Sequence, residues 1–164
     1  MPDLTSLASS VASLLKAANQ TVAVAESSGG GLISAALVSI PGASAYYIGG
    51  GVIYTSTARK ALLRVGDEAM AGMRASTEPY ALLKARTVRE QLGATWGLSE
   101  TGASGPTGNR YGDAAGHACI AVTGPIERVM TVETGKGDRE ANMWAFAKAA
   151  FDLLESCLKE GQKK

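Results

Sequence analysis

The stretch Ala23-Val24-Ala25-Glu26-Ser27-Ser28-Gly29-Gly30-Gly31 constrains this chain more than any other. A short apolar run ends in a carboxylate, two hydroxyls and three glycines, and an apolar helical pattern follows at once. That order predicts a strand, a glycine turn and a helix. Open α/β sheets bind ligands at the carboxyl ends of their strands, where such a turn lies. A helix N-terminus at the same place favours negative charge. Ser27 and Ser28 therefore stand where a hydroxyl could act as a nucleophile beside an anion-binding turn. The same residues also suit a plain tight turn with Ser28 capping the helix.

The rest of the chain alternates helices with strands. Leu4, Leu7, Val11, Leu14 and Leu15 recur at helical spacing over residues 4–19, before a strand at 22–25. A helix over 31–38 ends at Ile40-Pro41-Gly42. Val52-Ile53-Tyr54 reads as a second strand, with Gly49-Gly50-Gly51 marking a bulge or close backbone approach. Thr57 would cap a short helix reaching Arg64. Ser76 or Thr77 would cap another, with Pro79 in its first turn and Tyr80, Leu83, Thr87, Val88 and Leu92 as its apolar stripe. Residues 95–98 read as a short third strand. The runs 117–122 and 129–134 read as a hairpin, and a helix over 138–158 presents Met143, Phe146, Ala147, Ala150, Leu154 and Cys157 inward. This order predicts one domain, a three-layer α/β/α sandwich around a mixed sheet of about five strands.

Composition narrows the function classes. With 164 residues, 46% apolar content and a net charge of +1, the chain lacks the basic excess of a nucleic-acid binder. No apolar run reaches membrane-spanning length. The first residues are amphipathic rather than signal-like. Cys119 and Cys157 read as buried free thiols of a reducing compartment, without metal spacing. A cytoplasmic protein with no metal or cofactor is the expectation.

A second glycine-rich loop, Glu100-Thr101-Gly102-Ala103-Ser104-Gly105-Pro106-Thr107-Gly108-Asn109, falls on the same predicted sheet edge. Its N–H groups could wrap a phosphate, and it holds no Gly-x-x-x-x-Gly-Lys. Tyr54, Arg59 and Lys60 would face the first glycine turn. Arg139, early in the last helix, opposes the macrodipole, a cost that an anionic ligand offsets. His117 is the sole histidine, so no Ser-His-Asp triad exists unless it supplies the base. At the start of a strand it reads first as structural.

These motifs together resemble the C-terminal domain of the competence/damage-inducible protein CinA, a domain that also occurs alone as nicotinamide mononucleotide deamidase. The family's Glu-Ser-Cys-Thr-Gly-Gly is similar to Glu26-Ser27-Ser28-Gly29-Gly30-Gly31, and its Pro-Gly-Ala-Ser to Pro41-Gly42-Ala43-Ser44. Gly-x-x-x-Tyr resembles Gly50-Gly51-Val52-Ile53-Tyr54. Thr-Gly-Ile-Ala-Gly-Pro-x-Gly appears as Thr101-Gly102-Ala103-Ser104-Gly105-Pro106-Thr107-Gly108, and Gly-Asp-Arg as Gly137-Asp138-Arg139. The resemblance runs from about Leu4 to Leu158.

It implies a mixed-sheet α/β/α fold, a homodimer, and hydrolysis of the nicotinamide amide to the acid and ammonia. It makes Ser27 the nucleophile and places the base on a lysine after the strand tyrosine. An ungapped alignment through Tyr54 puts Arg59 there, with Lys60 one residue on. A guanidinium that never deprotonates cannot be a general base. Ser28 for cysteine and Gly29 for threonine are further departures. The first expectation is therefore an amidohydrolase for a small nucleotide, with Ser27, Tyr54 and Lys60 catalytic and His117 a lesser candidate for the base. Ser28, Gly29, Gly30, Arg59, Thr101, Gly102, Ser104, Gly105 and Arg139 would hold the substrate. The alternatives are a binding protein in which Arg59 grips an anionic nucleotide without turnover, and a different small-amide hydrolase using the same serine.

Overall fold

The strand β1 (Val22–Glu26) is an interior strand of the sheet, with all five of its residues buried. The computed structural model describes residues 3–163. The sheet order is β2-β1-β3-β4-β5, with β2 at Tyr47–Val52, β3 at Trp96–Ala103, β4 at His117–Thr123 and β5 at Arg128–Glu133. β1 is parallel to β2 and β3, and the last three strands are antiparallel. Among the described residues the α-helices are α1 (Leu4–Ala18), α2 (Leu32–Val38), α3 (Ser56–Ala58), α4 (Glu78–Leu92) and α5 (Arg139–Gln162).

Alternation along the strands sends two sets of apolar side chains to opposite faces. Val22, Val24, Leu98, Ile120 and Val122 pack with Leu15, Ile33, Leu37, Phe151 and Leu154, so α1, α2 and α5 cover one face. Ala23 and Ala25 pack with Val88, and Cys119 and Ala121 with Ala81 and Ala85, so α4 covers the other. The result is a three-layer α/β/α sandwich on a five-stranded mixed sheet. Trp96 joins the larger core, and both cysteines are buried and free. Among the described residues, no helix is long and apolar enough to cross a membrane.

Several local expectations shift. β2 runs through the glycines rather than after them, and its register on β1 slips between Val22 and Ala23. A Cβ at Gly50 would lie 1.9 Å from the Val24 carbonyl oxygen, so β2 approaches β1 too closely for any side chain there. Thr55, not Thr57, caps α3 by accepting from the Ala58 N–H, and a single π-helical turn, Arg59–Leu63, follows. Thr77, rather than Ser76, caps α4. The stripe of α4 that is buried is Tyr80, Ala81, Lys84, Ala85 and Val88, while Leu92 stays exposed. β3 continues to Ala103, which takes the first residues of the second glycine-rich segment into the ladder with β4.

Candidate active site

Two buried carboxylates organise the turn between β1 and α2. Glu26, the last residue of β1, accepts hydrogen bonds from the backbone N–H groups of Gly31 (3.1 Å), Ile33 (2.9 Å) and Ser34 (2.9 Å). The helix α2 has no side-chain cap of its own at Gly31, so a strand residue satisfies its orphan donors instead. Burial pushes the Glu26 carboxyl above its ordinary range, hydrogen bonds from Ser34 and Ile33 pull it back, and the nearby Glu100 adds to the rise.

Glu100, fully buried on β3, accepts from the N–H groups of Ser27 (3.0 Å) and Gly29 (2.8 Å) and takes a short bond from the Ser28 hydroxyl. Lys84 reaches the same residue from α4. Its Nζ, fully buried, donates to the Glu100 carbonyl oxygen at 2.7 Å and lies 5.3 Å from the centre of the Tyr80 ring. Burial lowers the Lys84 ammonium to about 8 against the opposing pull of Glu100 and Glu26.

These bonds settle which donors of the turn remain free. Gly30 gives its N–H to the Ser27 carbonyl and Leu32 to that of Gly29. Gly29 and Gly31 give theirs to Glu100 and Glu26. The glycine N–H groups expected to cradle an anion are thus already spent on carboxylates. Within the turn, the Ser28 N–H alone has no acceptor among the described residues, and the Ser27 hydroxyl has no partner either. A serine hydroxyl followed by the unspent N–H of the next residue matches the nucleophile–oxyanion arrangement of a strand-to-helix elbow.

The other predicted residues divide into those tied to this turn and those tied elsewhere. The Ser104 hydroxyl donates to the Ser28 carbonyl at 3.0 Å. Asn142 of α5 donates to the Ser104 carbonyl at 2.7 Å and to that of Lys136 at 2.8 Å. Arg139 bridges the Gly105 carbonyl (2.5 Å) and the Tyr54 hydroxyl (2.8 Å), joining the second loop, α5 and the segment after β2. Gly30 holds a φ of +67°, and a Cβ there would lie 2.8 Å from the Met143 methyl of α5. Gly102 pairs with Ala118 inside the β3–β4 ladder.

Thr101 accepts the Ser76 N–H at 3.2 Å, and the Ser76 carbonyl faces His117 Nε2 at 2.8 Å. His117 Nδ1 meets Glu133 at 2.5 Å, so both ring nitrogens have partners away from Ser27. Burial lowers the His117 pKa, but Glu133, the Ser76 carbonyl and Asp113 outweigh it, and the net shift is upward.

Arg59 and Lys60 part company. Arg59 is buried, gives one guanidinium nitrogen to Asp67 at 2.7 Å, and leaves its Nε without a partner. Lys60 meets the other Asp67 oxygen at 2.8 Å with 48% of its side chain exposed. Lys60 and Arg59 together hold the Asp67 carboxyl below its usual range, Lys60 contributing more. The expected base is therefore placed in a surface ion pair, while the arginine before it turns inward.

Glu100, Lys84 and Asn142 were not singled out by sequence. One signal was present for Lys84: it lies four residues after Tyr80 and four before Val88, on the stripe that a helical period buries.

Comparison with known proteins gives one consistent result. A family model described as the CinA C-terminal domain matches residues 4–158. A CinA-like protein of Gloeobacter violaceus is 39% identical over 155 residues, covering 93% of this chain and 36% of its own length. A CinA-like protein of Salinibacter ruber is 38% identical, covering 84% of this chain and 34% of its own. The chain thus spans about a third of the length of the curated relatives it matches. A CinA superfamily protein from Klebsiella pneumoniae superposes with a TM-score of 0.89 at 26% identity, over 97% of this chain and 99% of that one. A competence/damage inducible protein from Agrobacterium tumefaciens gives 0.85 at 28% identity, over 97% of both chains.

Proposed function

The chain belongs to the CinA C-terminal domain family, and from that premise we propose that it hydrolyses the carboxamide of nicotinamide mononucleotide to nicotinate mononucleotide and ammonia. The observation that carries this reading is the pairing of an unpartnered Ser27 hydroxyl with the unspent Ser28 N–H. Ser27 attacks the amide carbon, and the Ser28 N–H receives the oxyanion. Arg139, bridging Gly105 and Tyr54 at the start of α5, presents a guanidinium to the substrate phosphate. Ser104, tied to the Ser28 carbonyl, and Tyr54, tied to Arg139, shape the wall between them.

Purified protein should release ammonia from nicotinamide mononucleotide, and Ser27→Ala should abolish release while the protein keeps its fold, since a small hydroxyl is lost without opening a core cavity. A Ser27→Ala variant within a few-fold of the parent would sink the nucleophile assignment. The buried Arg59 at the position where relatives by resemblance carry a base favours a second reading, a nucleotide-binding protein without turnover. Binding of the mononucleotide by calorimetry with no ammonia released would decide for it.

A further inference from the structure

Given a serine nucleophile at Ser27, on which this inference rests, we propose that the buried amine of Lys84 in α4 is the base that takes its proton. The segment after β2 offers no such group: Arg59 cannot deprotonate, and Lys60 is drawn outward to Asp67. Lys84 is different in both respects. It is fully buried, and its one hydrogen bond goes to an uncharged acceptor, the Glu100 carbonyl, so its amine is not held in an ion pair.

The fold brings it to the right level. Ala25 stands beside Ser99 in the β1–β3 register, which sets Glu26 alongside Glu100. Ala25 packs on the face covered by α4, and Ser99 on the same face donates to the Ala81 carbonyl of α4. Ser27 follows Glu26 directly, as the first residue after β1. Lys84 Nζ thus sits at the Glu100 carbonyl where β1 gives way to Ser27, and the Ser27 N–H is itself held by the Glu100 carboxylate. The charged and titratable groups around the amine are Glu100 of β3, Glu26 of β1, and Tyr80 of its own helix, with Arg59 acting on Tyr80 from the turn after α3. Their balance with burial leaves the ammonium at about 8, so an appreciable neutral fraction exists near neutral pH.

The step balances. Lys84 Nζ accepts the Ser27 Oγ proton as Oγ bonds to the amide carbon. The resulting oxyanion collapses, the C–N bond breaks, and ammonia departs with the proton returned by Lys84. Water then attacks the acyl carbon, giving a proton to Lys84; the Oγ–C bond breaks as Lys84 returns that proton to Ser27 Oγ, and the acid, free Ser27 and neutral Lys84 result.

The test reads Ser27 acylation by p-nitrophenyl acetate, followed by mass spectrometry, beside ammonia release from nicotinamide mononucleotide. Lys84→Met keeps the buried volume and removes the amine, so acylation should slow by roughly 10²–10⁴-fold, as for other lost general bases. Lys60→Ala should stay within about twofold of the parent on the ~0.5 kcal/mol scale of surface changes. Acylation of the parent should rise with pH around the amine's own value, a readout that a structural role would not move. Lys84→Met acylating like the parent, a parent profile flat from about pH 6 to 9, or a Lys60→Ala collapse would each overturn the assignment; the profile decides even if Lys84→Met does not fold. A parent that acylates with this profile yet releases no ammonia would keep Lys84 as base and reject the proposed substrate. A parent in which Ser27 is never acylated would reject both.

Discussion

β1 and β2 run parallel, so the segments that follow them leave the sheet at the same edge, yet they use charge in opposite ways. At the end of β1, Glu26 and Glu100 are buried and together accept five backbone N–H groups and the Ser28 hydroxyl. After β2, Asp67 stands in solvent between Arg59 and Lys60. A buried carboxylate survives only where donors replace the water it lost, so its bonds define the backbone around it. An exposed ion pair gains little from its geometry, because water and salt can replace either partner. The first segment is thus a fixed scaffold, and the second a surface clasp that positions Arg59.

The largest expected effect breaks the buried side of this contrast. Glu26→Ala would leave three donors at the start of α2 unsatisfied and should cost about 3–5 kcal/mol in urea unfolding, whereas Glu26→Gln, keeping one acceptor oxygen, should cost less. A loss for Glu26→Ala under ~1 kcal/mol would erase the distinction between the two segments.

Next comes the bridge between them. Arg139→Ala should weaken binding of nicotinamide mononucleotide by roughly tenfold or more, while the unphosphorylated riboside loses much less, as calorimetry on both ligands would report. Equal losses would make Arg139 a structural tie between Gly105 and Tyr54.

His117 supplies the intermediate case, a buried ring against the half-exposed Glu133. Its folded pKa lies above its ordinary value, so its contribution to stability is fully present below about pH 6.5 and fades as pH rises through the folded value. As the sole histidine, its ring-proton resonances report this directly, and a midpoint below 6.5 in the folded protein would contradict the arrangement with Glu133 and Ser76.

The smallest effect belongs to the clasp. Lys60→Ala should leave the urea midpoint unmoved at low and high salt alike, because solvent already competes for Asp67. A clear shift at low salt would promote the clasp to a structural element.

The contrast also explains what could be read from sequence. The amphipathic pattern of α1, the strand–glycine–helix order around Ser27 and the hairpin of β4 and β5 follow from periodicity and turn chemistry that any observer of the chain can see. The run of β2 through Gly49-Gly50-Gly51 was hidden, because its cause is a neighbouring carbonyl of β1, set by register rather than by local preference. The candidate site divides similarly. Ser27, Ser104, Gly105, Arg139 and Tyr54 stand in local motifs, and the structure joins the last three directly. Glu100 and Lys84 act on the turn from β3 and α4, more than fifty residues along the chain in both cases. Their burial is a tertiary fact, and a lone lysine on an apolar stripe reads as surface until its neighbours are known.

The capping of α2 by Glu26 has a dynamic consequence. A helix of seven residues has little stability by itself. Its first donors are anchored to the end of the most deeply buried strand, so α2 cannot fray at that end without disturbing the sheet. Amide exchange at Gly31, Ile33 and Ser34 should therefore proceed only through the same rare opening that exposes β1, orders of magnitude slower than in an ordinary short helix. On the proposed reading, the movement that admits a substrate to Ser27 must then come from elsewhere, such as the tie of Arg139 to the Gly105 carbonyl and the exposed Tyr54 hydroxyl.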